Sequence, residues 1–265
     1  MNLAVEKIST GMMPDKKAEE RAAHDELADV HPGKRNAPPV DRPNWNVQTI
    51  ELAVFLLLIV PAMASSFMIG DPSGIDFRIQ ALFSILNDFG QVSLVFYFIW
   101  RNHEPLHRIG LNWRTPSKET LWGLVLFLPV MLSANGLLNV LHALGLSAPT
   151  TLPGFLVIRG KDNLALAVVL VTVVAIVEET IFRGYLILRL KTVTRRSWLA
   201  IVLSAAVFSI GHGYEGLAGV VSVFFLGVVL ALVYLWRRSL IAPMIIHFFI
   251  DFSSIVLTAL WKPHP

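Results

Sequence analysis

Glu178 and Glu179 stand side by side at the end of an apolar run that extends from Leu164 to Val177 and is broken only by Thr172. A carboxylate in the middle of a bilayer costs about 2.5–3.5 kcal/mol on insertion scales, so two acids followed by Arg183 mark a functional site by default. At about 100° per residue, Glu179 and Arg183 fall on one helix face and can pair, whereas Glu178 turns to another side. Glu178 is the freer acid and suits a general base acting on water. Glu179 with Arg183 suits a brace. On this stretch alone, a buried structural ion pair or the ion site of a transporter accounts for the same residues equally well.

Imidazoles supply the complementary chemistry. One apolar segment ends in Phe208-Ser209-Ile210-Gly211-His212, and the last one carries His247-Phe248-Phe249-Ile250-Asp251. His247 and Asp251 are four residues apart, so on a helix the acid can orient the ring or both can face one ligand. A lone histidine in a membrane is more often a packing or helix-linking residue, but costly groups on three late segments point to one shared site. Glu178, His212 and His247 are also N/O ligand types that, with a water in the fourth position, would make a catalytic metal site. A divalent metal such as zinc therefore stays open as a cofactor, although no His-Glu-x-x-His segment is present.

The elements that must position these groups are membrane helices. With 54% hydrophobic and 15% charged residues and a mean hydropathy of +0.61, the chain reads as all-α, a polytopic transmembrane bundle. Seven apolar stretches approach the about 20 residues needed to cross a bilayer. They cover roughly residues 50–70, 79–100, 119–144, 163–187, 197–212, 217–236 and 240–261, the fifth being short. Ahead of them, residues 1–48 hold seven Lys/Arg and eight Asp/Glu with a Pro-rich piece from His31 to Pro43. Too little apolar surface is present there to offset ordering entropy, so the segment reads as a disordered cytosolic tail with a short helix over Asp15 to Val30, and 49–262 as the membrane domain.

Depth tests whether the polar groups can meet. At 1.5 Å per residue, Glu178 lies about 17–20 Å from the flanking Arg189 and Lys191, His212 about 24 Å from Arg196, and His247 about 14 Å from Arg238. All fall within the hydrocarbon layer, and helix tilt, a break at Gly211 and Gly213, or a bend at Pro243 can absorb the spread. Pro61 and Pro129 read as kinks. Asn87, Asp88 and Gln91, and then Asn135, Asn139 and His142, read first as interhelical hydrogen-bonding residues and second as catalytic ones.

Basic residues in alternate connections set the orientation. Arg101, Arg108, Arg114 and Lys118 follow the second stretch, Arg189, Lys191, Arg195 and Arg196 the fourth, and Arg237 and Arg238 the sixth. The other connections carry only Arg78, then Arg159 and Lys161. The positive-inside rule then places the amino terminus in the cytoplasm and the carboxyl terminus outside, with Trp100, Trp113 and Trp236 as interfacial anchors. The net charge of +3 belongs to these flanks, so lipids and not nucleic acid are the expected partners. Without cysteine, thiol catalysis, disulfides and Cys-liganded zinc are excluded.

Taken together, Glu178, Glu179 and Arg183, then Phe208 and His212, then His247 and Asp251 resemble the Glu-Glu-x-x-x-Arg, Phe-x-x-x-His and His-x-x-x-Asn/Asp motifs of the CAAX protease and bacteriocin-processing family of intramembrane endopeptidases, which includes the type II CAAX prenyl endopeptidases. The resemblance covers roughly residues 160–255. It implies peptide-bond hydrolysis of a membrane-associated, lipid-modified or unmodified protein or peptide, with Glu178, His212, His247 and Asp251 catalytic and Glu179 and Arg183 supporting. The alternatives are an ion-coupled transporter and a non-catalytic bacteriocin-immunity protein.

Overall fold

The computed structural model describes residues 45–68, 76–147, 156–158, 160 and 163–261. The tail expected over 1–48 lies outside the described residues except for Trp45–Gln48, which already belong to the first helix. The helix expected over Asp15 to Val30, and Arg159 and Lys161, also lie outside them.

Among the described residues seven helices form, as the hydropathy pattern requires: α1 (Trp45–Ala64), α2 (Phe77–Arg101), α3 (Pro116–Ala143), α4 (Leu164–Thr194), α5 (Ser197–Ile210), α6 (Gly216–Arg237) and α7 (Ile241–Trp261). Six are long and apolar enough to cross a membrane, counting short 3-10 turns at one end of α1 and of α6. The remaining one, α5, has 14 residues. Among the described residues there is no strand. Broad stripes such as Leu57, Leu58, Phe83, Leu86, Leu128 and Leu132 are exposed. A surface of this kind suits acyl chains and would aggregate in water.

The packing centres on α4. Some 44% of its most apolar window is buried, against 6–33% for the other spans. It contacts α1, α2, α5 and α7, while α3 packs on α6 and α7, and α5 on α6. Over Glu179–Leu186 the α4 backbone is π-helical, and α7 does the same over Phe252–Leu257. Both switches begin at a motif: Glu179 opens the first, and Asp251 immediately precedes the second. Such π segments cluster at functional sites because the wider turn re-aims side chains. The carbonyl of Phe182, inside the α4 segment, accepts a 2.7 Å hydrogen bond from the Ser204 hydroxyl of α5. Gly184 allows α4 to approach the α2–α3 connection, since a Cβ there would lie 2.7 Å from the Ile109 carbonyl oxygen.

Pro61 and Pro129 lie inside α1 and α3, and each helix continues past its proline. Other expectations change. Pro243 sits in the first turn of α7. An N–H there has no intrahelical partner to lose, so no ladder carbonyl is freed. Asn135, Asn139 and His142 lie on exposed faces of α3. Asn135 bonds back to the Met131 carbonyl of its own helix. Asn87 and Gln91 line a cavity of about 280 Å³ between α1 and α2.

Arg189 is not a free interfacial anchor either. It is 1% exposed and pairs with Glu104 of the α2–α3 connection at 2.9 Å, with Glu51 of α1 at 3.9 Å. Gln48 donates to Glu104 and Asn102 to Glu51, closing a buried polar cluster at one end of the bundle. Arg237 forks onto Glu119 at 2.8 and 3.0 Å, tying α6 to the start of α3. Exposed Lys118, Lys191, Arg195, Arg196 and Arg238 remain as flanking charges.

A candidate catalytic site where α4 meets α7

The site is assembled around the imidazole of His247, which is 4% exposed. Its Nδ1 lies 2.9 Å from Glu179 Oε1. A carboxylate only accepts, so Nδ1 carries the hydrogen and Nε2 is turned to the opposite side. There it meets Asp251 Oδ2 at 3.4 Å and Glu178 Oε2 at 3.7 Å. Adjacent acids on α4 thus address opposite edges of one ring. The helix-to-π switch between them widens the turn where they diverge.

The two acids differ in engagement. Glu179 is 0% exposed, and its Oε1 accepts from Arg183 Nη1 at 2.8 Å as well as from His247. The pairing with Arg183 follows the expected spacing. The reach of Glu179 to α7 does not, and it makes this residue a brace between helices. Glu178 keeps 23% of its side chain exposed, and Asp251 24%. The Oε2 atom of Glu178 is itself buried and has no hydrogen-bond partner.

His212 enters from the end of α5. Its Nδ1 donates to the Phe208 carbonyl at 3.2 Å, which leaves the Nε2 lone pair as the free edge of the ring. No hydrogen bond or ion pair among the described residues joins His212 to Glu178. The link runs through Phe208, whose ring lies 5.0 Å from that of His212 and 6.0 Å from that of His247. The Arg183 guanidinium lies 4.3 Å from the Phe208 ring centre. The motif phenylalanine therefore packs against both imidazoles and stacks on the brace.

Residues that spacing did not reveal hold this arrangement. The Ser66 hydroxyl, at the end of α1, donates to the Ile210 carbonyl at 2.8 Å and accepts from the Gly213 N–H at 2.9 Å. It satisfies the backbone on both sides of His212. Its partners are 144 and 147 residues away, so no local pattern could signal it. Gly213 fits because a Cβ there would meet the Phe67 ring at 2.5 Å. Tyr214 and Glu215, in the turn after His212, hydrogen-bond to each other and face Asp251. Their place beside a motif histidine was a usable signal. Asp88 of α2 is close enough to interact electrostatically with His247 and Glu178.

Among the described residues, no group of three or more His, Asp or Glu side chains has the arrangement of a metal-ion site.

Residues 160–253 match the family described as Rce1-like, type II CAAX prenyl endopeptidase Rce1-like. The matched segment contains all three motifs and ends just past Asp251, in agreement with the resemblance drawn from them. Neither a curated protein nor a solved structure matches the chain.

Proposed function

We propose, taking as premise that residues 160–253 belong to the Rce1-like family, that this integral membrane protein is an intramembrane endopeptidase in which Glu178 activates the attacking water. The observation that carries the reading is the contrast between the two adjacent acids. Glu179 is sealed from solvent and doubly engaged through Oε1, whereas Glu178 is partly exposed and makes no hydrogen bond through Oε2, which lies beside an imidazole. A general base must be within reach of water, and of the pair only Glu178, whose side chain is 23% exposed against 0% for Glu179, meets that condition.

In this mechanism a water lies between Glu178 and the Nε2 lone pair of His212. Glu178 removes one proton, and the hydroxide adds to the carbonyl carbon of the scissile amide. The oxyanion that forms accepts from the Nε2–H of His247, whose ring is held as the imidazolium by Glu179 and Asp251. The substrate class is a membrane-associated peptide or protein, with a prenyl group as one form to be compared with its unmodified twin. The amino terminus is cytoplasmic and the carboxyl terminus outside, as the exposed basic residues flanking α3, α4, α5 and α6 support.

The test uses purified protein in proteoliposomes with carboxyl-terminal peptides, farnesylated and not, followed by mass spectrometry. Cleavage that stops with Glu178→Gln supports the reading. A wild-type protein that cleaves no peptide but takes up a solute in a Glu178-dependent way overturns it in favour of transport. Protection against a bacteriocin that survives Glu178→Gln overturns it in favour of a non-catalytic immunity protein.

A further inference from the structure

The buried stripe of α2 runs Ala81, Asp88, Val92, Val95 and Ile99, the spacing of a helix face laid against a neighbour. Four of these five are apolar, and α2 packs on α4. Asp88 is the exception. It is 8% exposed, and its Oδ2 is buried with no hydrogen-bond partner. A carboxyl in such a place is costly to retain without a task.

Its surroundings give the task. On the face of α2 that packs against α4, Asp88 lies within electrostatic range of both Glu178 and His247, so a second buried carboxyl with an unpartnered oxygen belongs to the surroundings of the proposed base. Counting the groups gathered there, Asp88, Glu178, Glu179, Asp251 and Glu215 are set against Arg183, His247 and His212. Five carboxyls outnumber three groups able to carry positive charge, and the excess of buried anions cannot all be sustained in an apolar bundle, so at least one carboxyl proton is stored in the site. Glu179 is not its holder, because it accepts from both Arg183 and His247. Two such acids that share a proton divide the labour of hydrolysis: the ionised one takes a proton from water and the protonated one gives its own away.

We infer that Asp88, which lies outside the family-matched segment, is the general acid that protonates the leaving amine. The step rests on Glu178 being the base. Water gives one proton to Glu178, and its oxygen bonds to the carbonyl carbon. The C–N bond then breaks with its electron pair on nitrogen, which takes the proton of the Asp88 carboxyl. The products are a carboxyl terminus and an amine, with Glu178 protonated and Asp88 ionised. Transfer of that proton from Glu178 to Asp88, directly or through water, restores the starting state without any other reactant.

The experiment separates the acid step from the base step by changing the leaving group. An amide nitrogen must be protonated to depart, whereas the phenolate of an aryl ester departs without a proton. Wild type, Asp88→Asn, Asp88→Glu and Glu178→Gln are assayed on the amide peptide that the wild type cleaves and on the p-nitrophenyl ester of its acyl half. Asp88→Asn is expected to lower kcat on the amide by about 10²-fold or more with KM little changed, and to leave the ester within about fivefold of wild type. Asp88→Glu, which keeps an acid, should recover most amide cleavage, and Glu178→Gln should lose both substrates. Equal losses on amide and ester for Asp88→Asn, or no loss on either, overturn the assignment and leave Glu178 to carry the proton by itself. If Asp88→Asn does not fold, Asp88→Ser decides by the same comparison: equal losses on amide and ester, or no loss on either, overturn the assignment. Failure of the wild type to cleave any peptide would instead sink the endopeptidase reading.

Discussion

Glu178→Gln and Glu179→Gln remove one charge each from neighbouring positions, yet their consequences should be opposite. Glu179 is 0% and Arg183 1% exposed, 2.8 Å apart, and the same carboxylate oxygen holds His247 at 2.9 Å. Neutralising Glu179 leaves a guanidinium buried without its counter-charge, a change that costs about 3–5 kcal/mol in comparable buried pairs. Glu178 makes no hydrogen bond through Oε2 and stands 3.7 Å from its nearest ion-pair partner, His247. Its amide should cost stability no more than about 1 kcal/mol while removing the base, a loss of about 10²–10⁴ in kcat. Unfolding by SDS titration in mixed micelles, followed by tryptophan fluorescence, measures the first quantity, and peptide cleavage measures the second. Pairing Glu179→Gln with Arg183→Met should recover at least half of the lost stability, because the uncompensated cation goes with it. Equal stability losses for Glu178→Gln and Glu179→Gln, or a Glu179→Gln protein as stable as wild type, would refute the division into reagent and brace.

Other outcomes follow from the same contacts. Ser66→Ala withdraws a donor and an acceptor from the backbone flanking His212, so it should destabilise by about 1–3 kcal/mol and reduce kcat more than KM changes, measured by the same titration and assay. Arg189→Met should cost about 3–5 kcal/mol because it strands Glu104 and Glu51 in the buried cluster, whereas Arg101→Met, half exposed, should cost about 0–1 kcal/mol. Gly184→Val places side-chain atoms where even a Cβ would sit 2.7 Å from the Ile109 carbonyl oxygen, and should lower the unfolding midpoint by about 1–3 kcal/mol or prevent folding. As the native chain has no cysteine, single cysteines at Arg114 and Lys191 in intact cells test topology: shielding of both from an impermeant maleimide is expected, and labelling of both reverses the orientation.

What the sequence determined by itself was the inventory: seven apolar helices, their order, and the acids and imidazoles that lipid makes too costly to keep idly. Hydrophobic period and length set these locally, and the i,i+4 pairs Glu179–Arg183 and His247–Asp251 follow from helix geometry alone. Tertiary packing decided which acid is spent on structure. Nothing in the spacing told that Glu179 would reach across to His247, that the helix would widen to π-geometry at that residue, or that Phe208 would pack against both imidazoles. It also drew Arg189 inward onto Glu104, and Ser66 onto a turn at the far end of the chain. Asp88 looked like one more polar residue among Asn87 and Gln91, and only the rotation of α2 against α4 separates the one near the site from the two beside α1. Such distinctions depend on which face a helix turns to its neighbours, a property that long-range packing sets and that residue spacing within one helix does not carry.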